Sequence, residues 1–387
     1  MAHAVVIGAG IAGLTSAVSL HQRGWSVTIV EKAASLDPVG TAIAIAPNAL
    51  RALDVLGVGD EVRAVAQPDE AAGIRTPSGR WLMRMPPELF TARFGEPVYV
   101  TLRHALVDIL TEHLAECDLR LNCEALQVDS LSGAVETTNG PLTADLVVGA
   151  DGIWSRTRTA LFPAHPRPAY TGLTAWRAVA VARGVQIDAG ETWGRGGQIV
   201  GLAPVRAQQG DDLVYIYATD KTPPGQPFAD EKEELQRRFA AWHEPIPQIL
   251  EGLDGSAIIR NDLYSLRSPL PAMHRGCTVV MGDAAHPMTP HLGQGGCQAI
   301  EDAVVLAEIV ESGVPTETEL EAYTAARLAR TSRITKQSLR YGQASLVGMP
   351  VAAFLRNAAI RAAAVSPQLS LRLLDDVMRW RPASQQS

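Results

Sequence analysis

Hydrophobic positions change their period several times along the chain. Ala4-Val5-Val6-Ile7 and Ser26-Val27-Thr28-Ile29-Val30 are short, nearly continuous apolar runs, the pattern of strands buried on both faces of a parallel sheet. Between them, Leu14 to Leu20 reads as a helix ending near Gly24. The segment from Pro47 through Leu50, Leu53 and Leu56 to Gly57 predicts a short amphipathic helix with proline in its first turn and glycine past its end. A second helix is expected from Arg103 to Leu110, then short strands around 119–128, then Leu146-Val-Val-Gly149, which runs into an acidic glycine turn. From about Tyr170 to Leu270 the texture becomes alternating and rich in Trp, Tyr and Val. Strands are expected over 173–181, 198–203 and 213–218, with a helix over about 230–242. The buried-strand pattern resumes at Cys277-Thr-Val-Val-Met281.

The turn after the first strand carries Gly8-Ala-Gly10-Ile-Ala12-Gly13, and the second strand delivers Glu31-Lys32. Glycines at this spacing allow a tight turn and close backbone approach, and the following helix N-terminus offers free N–H groups to a pyrophosphate. Glu31 lies 18 residues past Gly13, near the offset at which a carboxylate reaches a ribose 2′-hydroxyl and repels a 2′-phosphate. The reading is an α/β protein: a Rossmann-type dinucleotide-binding fold with an inserted antiparallel β-sheet substrate domain and C-terminal helices. The expected boundaries are 1–73, 97–167 and 270–387 for the discontinuous cofactor domain, and 74–96 and 168–269 for the insert.

Late in the chain, Gly282-Asp283-Ala-Ala-His286-Pro287 ends the resumed strand. A carboxylate suits neutral hydroxyls better than a pyrophosphate, so Asp283 is expected on the ribityl chain of a flavin, which NAD lacks; this separates FAD from NAD. Pro290 stiffens the next loop, and Gly293-Gln-Gly295-Gly296 opens a helix whose N–H groups can approach the pyrimidine edge of a flavin. With no second glycine fingerprint between a strand and a helix, a nicotinamide coenzyme, NADPH or NADH, is expected only as a transient visitor.

Composition narrows the partners. The 387 residues are 47% hydrophobic and 19% charged, enough for a large core and two domains, and the formal charge of −7 disfavours nucleic acid. Cys117, Cys123, Cys277 and Cys297 show no metal-ligand spacing, so no metal is expected and the thiols fit a reduced, cytoplasmic setting. The apolar stretch from Ala344 to Ala364 is interrupted by Pro350, Arg356 and Arg361, which favours packed helices over stable membrane insertion. Monomer and homodimer both stay open.

The three motifs in this order, spread over nearly the whole chain, resemble those of class A flavoprotein monooxygenases of the p-hydroxybenzoate hydroxylase kind. The Gly-Gln-Gly-Gly-Cys297 version, with cysteine where many members carry asparagine, is most similar to the urate hydroxylase, salicylate hydroxylase and zeaxanthin epoxidase branch. The resemblance implies bound FAD, reduction by NAD(P)H, and O2 captured as a flavin C4a-hydroperoxide that hydroxylates a small aromatic or heteroaromatic substrate. It also implies that Arg103 contacts the FAD pyrophosphate or ribityl region, that Asp151 and Gly152 support FAD and the passing coenzyme, and that Arg51 lies near the flavin. A flavin reductase, an epoxidase and, outside enzymes, a dinucleotide-binding sensor are the alternatives.

For substrate activation a base is expected, and His286 and His291 flank the flavin motif, with Pro287 stiffening the loop between them. In the insert, Trp176, Arg177, Tyr215 and Tyr217 are candidates for the substrate wall. The two tyrosines share one strand face, and Arg177 is costly to bury without a partner.

Overall fold

A computed structural model describes residues 1–36, 41–69, 73–114, 116–206, 212–310 and 313–385. The strand His3–Ile7 lies inside a six-stranded sheet ordered His274–Arg275, Thr278–Val280, Leu146–Gly149, His3–Ile7, Ser26–Val30, Asp118–Arg120. It pairs in parallel with both neighbours, Val6 standing beside Val148 on one side and Ile29 on the other. Alternation along this strand sends its side chains to two cores. Ala4 and Val6 join the large core that holds Leu14, Val18, Ile300 and Val304 of the helices Ile11–His21 and Gly295–Ile309. Val5 and Ile7 join Val135, Ala144 and Val147 under a small sheet, Ala125–Asp129, Ala134–Thr137 and Gly140–Thr143. Covered on both faces, the strand has no polar side to show, which is why its sequence reads as an unbroken apolar run.

The second large sheet has seven strands, in the order Ile259–Ser265, Ala169–Val181, Leu213–Asp220, Ile199–Val205, Gly190–Trp193, Gly73–Arg75, Trp81–Arg84. It is not wholly antiparallel as expected: Gly190–Trp193 pairs in parallel with Gly73–Arg75. Those two strands come from distant parts of the chain, so no hairpin dictates their sense. One face of this sheet, with Trp176, Ala178, Val214 and Ile216, packs on Leu235, Phe239, Ile249 and Leu250 of the helices Glu231–Phe239 and Ile246–Glu251. The opposite face carries Arg177, Tyr215 and Tyr217, with Tyr217 packed against Trp193 and Tyr341. There Tyr215 and Val205 cluster with Ala42, Val100 and Leu102. Those last three belong to a short three-stranded sheet, Ala42–Ile45, Val98–Leu102 and Gln67–Asp69, that joins the two halves.

Four helices, Gly295–Ile309, Glu317–Ser345, Pro350–Ala364 and Pro367–Arg372, dominate the C-terminal part. The longest is launched by a capping box in which Thr316 and Glu319 satisfy each other's backbone N–H groups. Among the described residues, no helix is long and apolar enough to cross a membrane. All four cysteines are free, and burial pushes the Cys297 thiol up to about 12, leaving it a packing group.

Candidate active site

The first turn is shaped by steric necessity. Gly8 has φ +99°, and a Cβ there would stand 2.6 Å from the Ala150 carbonyl oxygen; one on Gly13 would stand 1.8 Å from the Gly8 oxygen. Gly10, by contrast, faces open space. The glycines therefore press strand, turn and helix together while leaving one backbone approach clear, the cradle a pyrophosphate requires. Glu31 is fixed on this turn by accepting hydrogen bonds from the Ala9 N–H at 2.8 Å and the Ala33 N–H at 2.9 Å. Lys32 is exposed beside it.

The Asp151-Gly152 turn is braced from within. The Asp151 carboxylate accepts from the Ser155 hydroxyl at 2.5 Å and from the Thr157 N–H and hydroxyl at 2.9 and 3.0 Å. It supports the cleft by holding its wall in place, with Gly152 at φ +76° beside it. Two residues not singled out in the sequence complete this wall. Ser155 caps the helix Arg156–Leu161 through the Arg158 N–H, and buried Arg158 donates to the carbonyls of Ile153 and Ala284. The serine cap three residues before the arginine was the available signal.

Gly282 joins three elements. At φ +54°, its Cβ position lies 3.0 Å from Ala12 and 3.2 Å from Ala299, so Ala12 serves as the surface on which this turn sits. Asp283 follows, reached by solvent but enclosed by the cleft. Desolvation raises its carboxyl, and the positive groups of His286, Arg103, Arg177 and Arg158 pull it back. Arg103 begins its helix with an N–H bond to the Thr41 carbonyl, and burial lowers its guanidinium against the opposing charge of Asp283. Four groups from distant parts of the sequence thus share one electrostatic neighbourhood: Arg103, Arg158, Arg177 and Asp283.

Behind them runs a buried ionic network. His286 Nε2 meets Asp302 Oδ2 at 2.6 Å, the same oxygen that accepts the Gly282 N–H at 2.9 Å. Arg327, fully buried, bonds Asp302 at 2.6 Å and Glu301 at 2.5 Å, while Arg330 holds Glu301 at 2.7 and 2.8 Å. Asn48 donates to Glu301 and to Gln294, the residue preceding the helix Gly295–Ile309. Despite desolvation, His286 and Arg327 hold the Asp302 carboxyl down at about 2. The pairing compensates charges that would be prohibitive alone. His286, expected as a catalytic base, pairs with the carboxylate that also holds the Gly282 N–H and so braces that turn. Arg51, expected near the flavin, donates to the carbonyls of Met378, Trp380 and Phe94 and so fastens the C-terminal segment.

The loop from Pro287 to Gly293 crosses to the second sheet. The Pro287 carbonyl accepts from the Ser265 hydroxyl at 3.0 Å. Pro290 opens a short 3-10 turn that Gly293 ends in the left-handed conformation. Gly295 faces open space, and Gly296 lets Ile43 pack against the helix start. His291, within this turn, is 5% exposed; both ring nitrogens lack a partner and burial lowers its imidazole to about 4. It packs over Gly342, with the Tyr341 ring centroid 6.3 Å away.

From there an aromatic wall continues. Glu191 accepts from Trp193 Nε1 at 2.7 Å, from the Tyr341 hydroxyl at 3.1 Å and from the Tyr217 hydroxyl. Burial raises its carboxyl, and the three donors oppose that rise. Tyr217 lies flat over Gly201 of the neighbouring strand, where a Cβ would stand 2.2 Å from its ring. Arg177 is its cross-strand partner, and Arg177 also donates to Asn261 at 3.1 Å. Burial raises the Tyr215 hydroxyl, which Arg177 tempers. Trp176 does not belong here. It faces the helices on the other side of the sheet and donates to Glu231 at 2.7 Å, because neighbours along a strand point to opposite faces.

Comparison with known proteins gives the same class. The family model described as FAD binding domain matches residues 1–338, and the chain belongs to that family. It is 38% identical over 345 residues to the aurachin C monooxygenase/isomerase of Stigmatella aurantiaca, covering 88% of each chain. It is 33% identical over 366 residues to the 2-heptyl-3-hydroxy-4(1H)-quinolone synthase of Pseudomonas aeruginosa, covering 92% of this chain and 93% of the relative. Its fold superimposes with a TM-score of 0.88 on Klebsiella pneumoniae HpxO complexed with FAD and uric acid, at 24% identity over 97% and 96% of the two chains. The protein is an FAD-dependent monooxygenase of the aromatic-hydroxylase class. Its residues fit that cofactor: the Gly8–Gly13 cradle with Glu31 suits the adenosine and pyrophosphate end, and Arg103 with Asp283 suits the ribityl region.

Proposed function

We propose that the protein uses NAD(P)H and O2 to place one hydroxyl group on a small N-heteroaromatic ring of the 4-quinolone type, in the cytoplasm. The observation that carries this reading is the sheet face on which Arg177 lies beside Tyr215 while Tyr217 packs with Trp193 and Tyr341, taken as the wall of the substrate slot. Flat aromatic walls suit a planar ring, and Arg177 beside them suits an oxygen on that ring. Two relatives above 30% identity, one of them named for a 3-hydroxy-4(1H)-quinolone product, support that choice.

Bound FAD would supply reducing electrons taken from the nicotinamide and the activation of O2. The side chains have separate tasks. Arg177 donates to the ring oxygen and stabilises negative charge that builds there. His291, kept neutral by burial, packs behind this wall beside Tyr341. Tyr217 and Tyr341, whose hydroxyls are raised well above the usual value mainly by burial, stay protonated and keep Glu191 anchored. Each turnover consumes one substrate, one NAD(P)H, one proton and one O2, and releases hydroxylated product, NAD(P)+ and water.

The test is oxygen uptake by FAD-loaded protein across 4-quinolones, hydroxybenzoates and urate, with NADH and NADPH compared and the gas enriched in the heavy oxygen isotope. One labelled atom in a quinolone product is the expected result. Coenzyme oxidation that yields only hydrogen peroxide with every ring compound would reject it, and a reduced product without label would identify a reductase.

A further inference from the structure

The helix Pro350–Ala364 has two faces of unlike character. Its inner side carries Ala353, Arg356 and Ile360. Ile360 packs with Trp193 and Tyr341, while Arg356 donates to the Gly194 carbonyl at 2.8 Å and lies over the Trp193 ring. The outer side repeats apolar residues at Val351, Phe354, Leu355, Ala358 and Ala362, spaced i, i+3, i+4, i+7, i+11, and all are exposed. Phe354 is 67% and Leu355 61% exposed, and the pattern continues through Val365 to Leu369 and Leu373 of the next helix at 85%, 58% and 74%. Large side chains left this far in water, and adjacent, mark a docking surface.

Charge decides what covers it. From Ala322 to Leu374 the chain carries five exposed basic residues, Arg333, Lys336, Arg340, Arg361 and Arg372, and no Asp or Glu, although the whole protein has a net charge of −7. Arg361 and Arg372 are exposed next to the apolar stripe. A second copy of the chain would bring this basic segment against its own like charges, whereas an anionic surface complements it. We propose that the outer face of Pro350–Ala364, continued by Pro367–Arg372, seats the protein on an anionic lipid surface, lying in the interface without crossing it. The seat rests on this outer face alone and not on the substrate assigned above. It would bring the helix that covers Trp193 and Tyr341 to the lipid.

Flotation of the full-length, FAD-loaded protein with vesicles tests this, comparing equimolar phosphatidylglycerol and phosphatidylcholine with phosphatidylcholine alone. The expected result is recovery with the anionic vesicles, weakened by salt. Phe354→Asp with Leu355→Asp should reduce it by about tenfold or more, and Arg361→Glu with Arg372→Glu should weaken it on anionic vesicles. The thermal midpoint and the coenzyme oxidation rate without vesicles should be unchanged in both. No recovery on either vesicle, or recovery indifferent to lipid charge, would overturn the proposal. So would a concentration-dependent dimer in light scattering that Phe354→Asp with Leu355→Asp splits, which would assign the face to a second copy.

Discussion

Two side chains at the centre of the cleft make separable predictions. Asp283 touches no structural carboxylate partner and stands among Arg103, Arg158 and Arg177, so its removal should spare the fold and weaken the cofactor. Asp283→Ala is expected to retain FAD about tenfold or more less tightly, read by flavin fluorescence on dilution, while its apo-state melting midpoint stays near the parent's. His291 carries a pH signature. Its folded-state imidazole sits at about 4, below the ordinary 6.5, so the unfolded chain binds a proton that the folded one refuses. Stability should therefore fall as pH drops from about 6.5 toward 4, by roughly 3 kcal/mol, and level off below that. Denaturant titrations of His291→Leu should lack that loss.

Elements were legible where one rule governed them. Buried runs gave the parallel strands, and the alternating texture gave Ala169–Val181 and Leu213–Asp220 nearly as they stand. The face a strand residue takes was not legible. Trp176 and Arg177 are neighbours, and a period of two places one in the slot and the other against helices, but only the packed sheet says which. Glu191 was hidden for a related reason: its partners Tyr217 and Tyr341 come from a neighbouring strand region and a helix 150 residues away. Arg327 lay beyond any motif because its partners Glu301 and Asp302 sit on a different helix. Asp283 with its arginines was half legible, as separate motifs whose meeting point needed the fold. At this scale Gly282 is the sharpest test. Gly282→Ala would force a side chain into the left-handed region between Ala12 and Ala299, at a cost of about 1–3 kcal/mol in chemical denaturation. Gly10→Ala, whose Cβ meets no protein atom within 4 Å, should instead spare the fold and loosen FAD, because it fills the approach left clear for the pyrophosphate.

Across the whole molecule, the helix Gly295–Ile309 and the C-terminal segment are joined by one buried chain of contacts. Glu301 is gripped by Arg330, which also donates to the Asp376 and Val377 carbonyls, while Arg51 holds Met378 and Trp380. The Arg93–Asp375 ion pair and the bonds from the Ala383 and Ser384 N–H groups to Glu308 tie down the rest. Arg327→Met should break this chain, leave Asp302 short of its positive partner and destabilise the fold by roughly 3–5 kcal/mol in urea unfolding. A structure fastened this way has a tail that senses the far end of the molecule. Ligation that tightens the helix start at Gln294 must, by reciprocity, slow the fraying of the last dozen residues. A nonspecific protease should then clip the C-terminus faster from apoprotein than from flavin-loaded protein, so that the length of the surviving chain records whether the cofactor was on board.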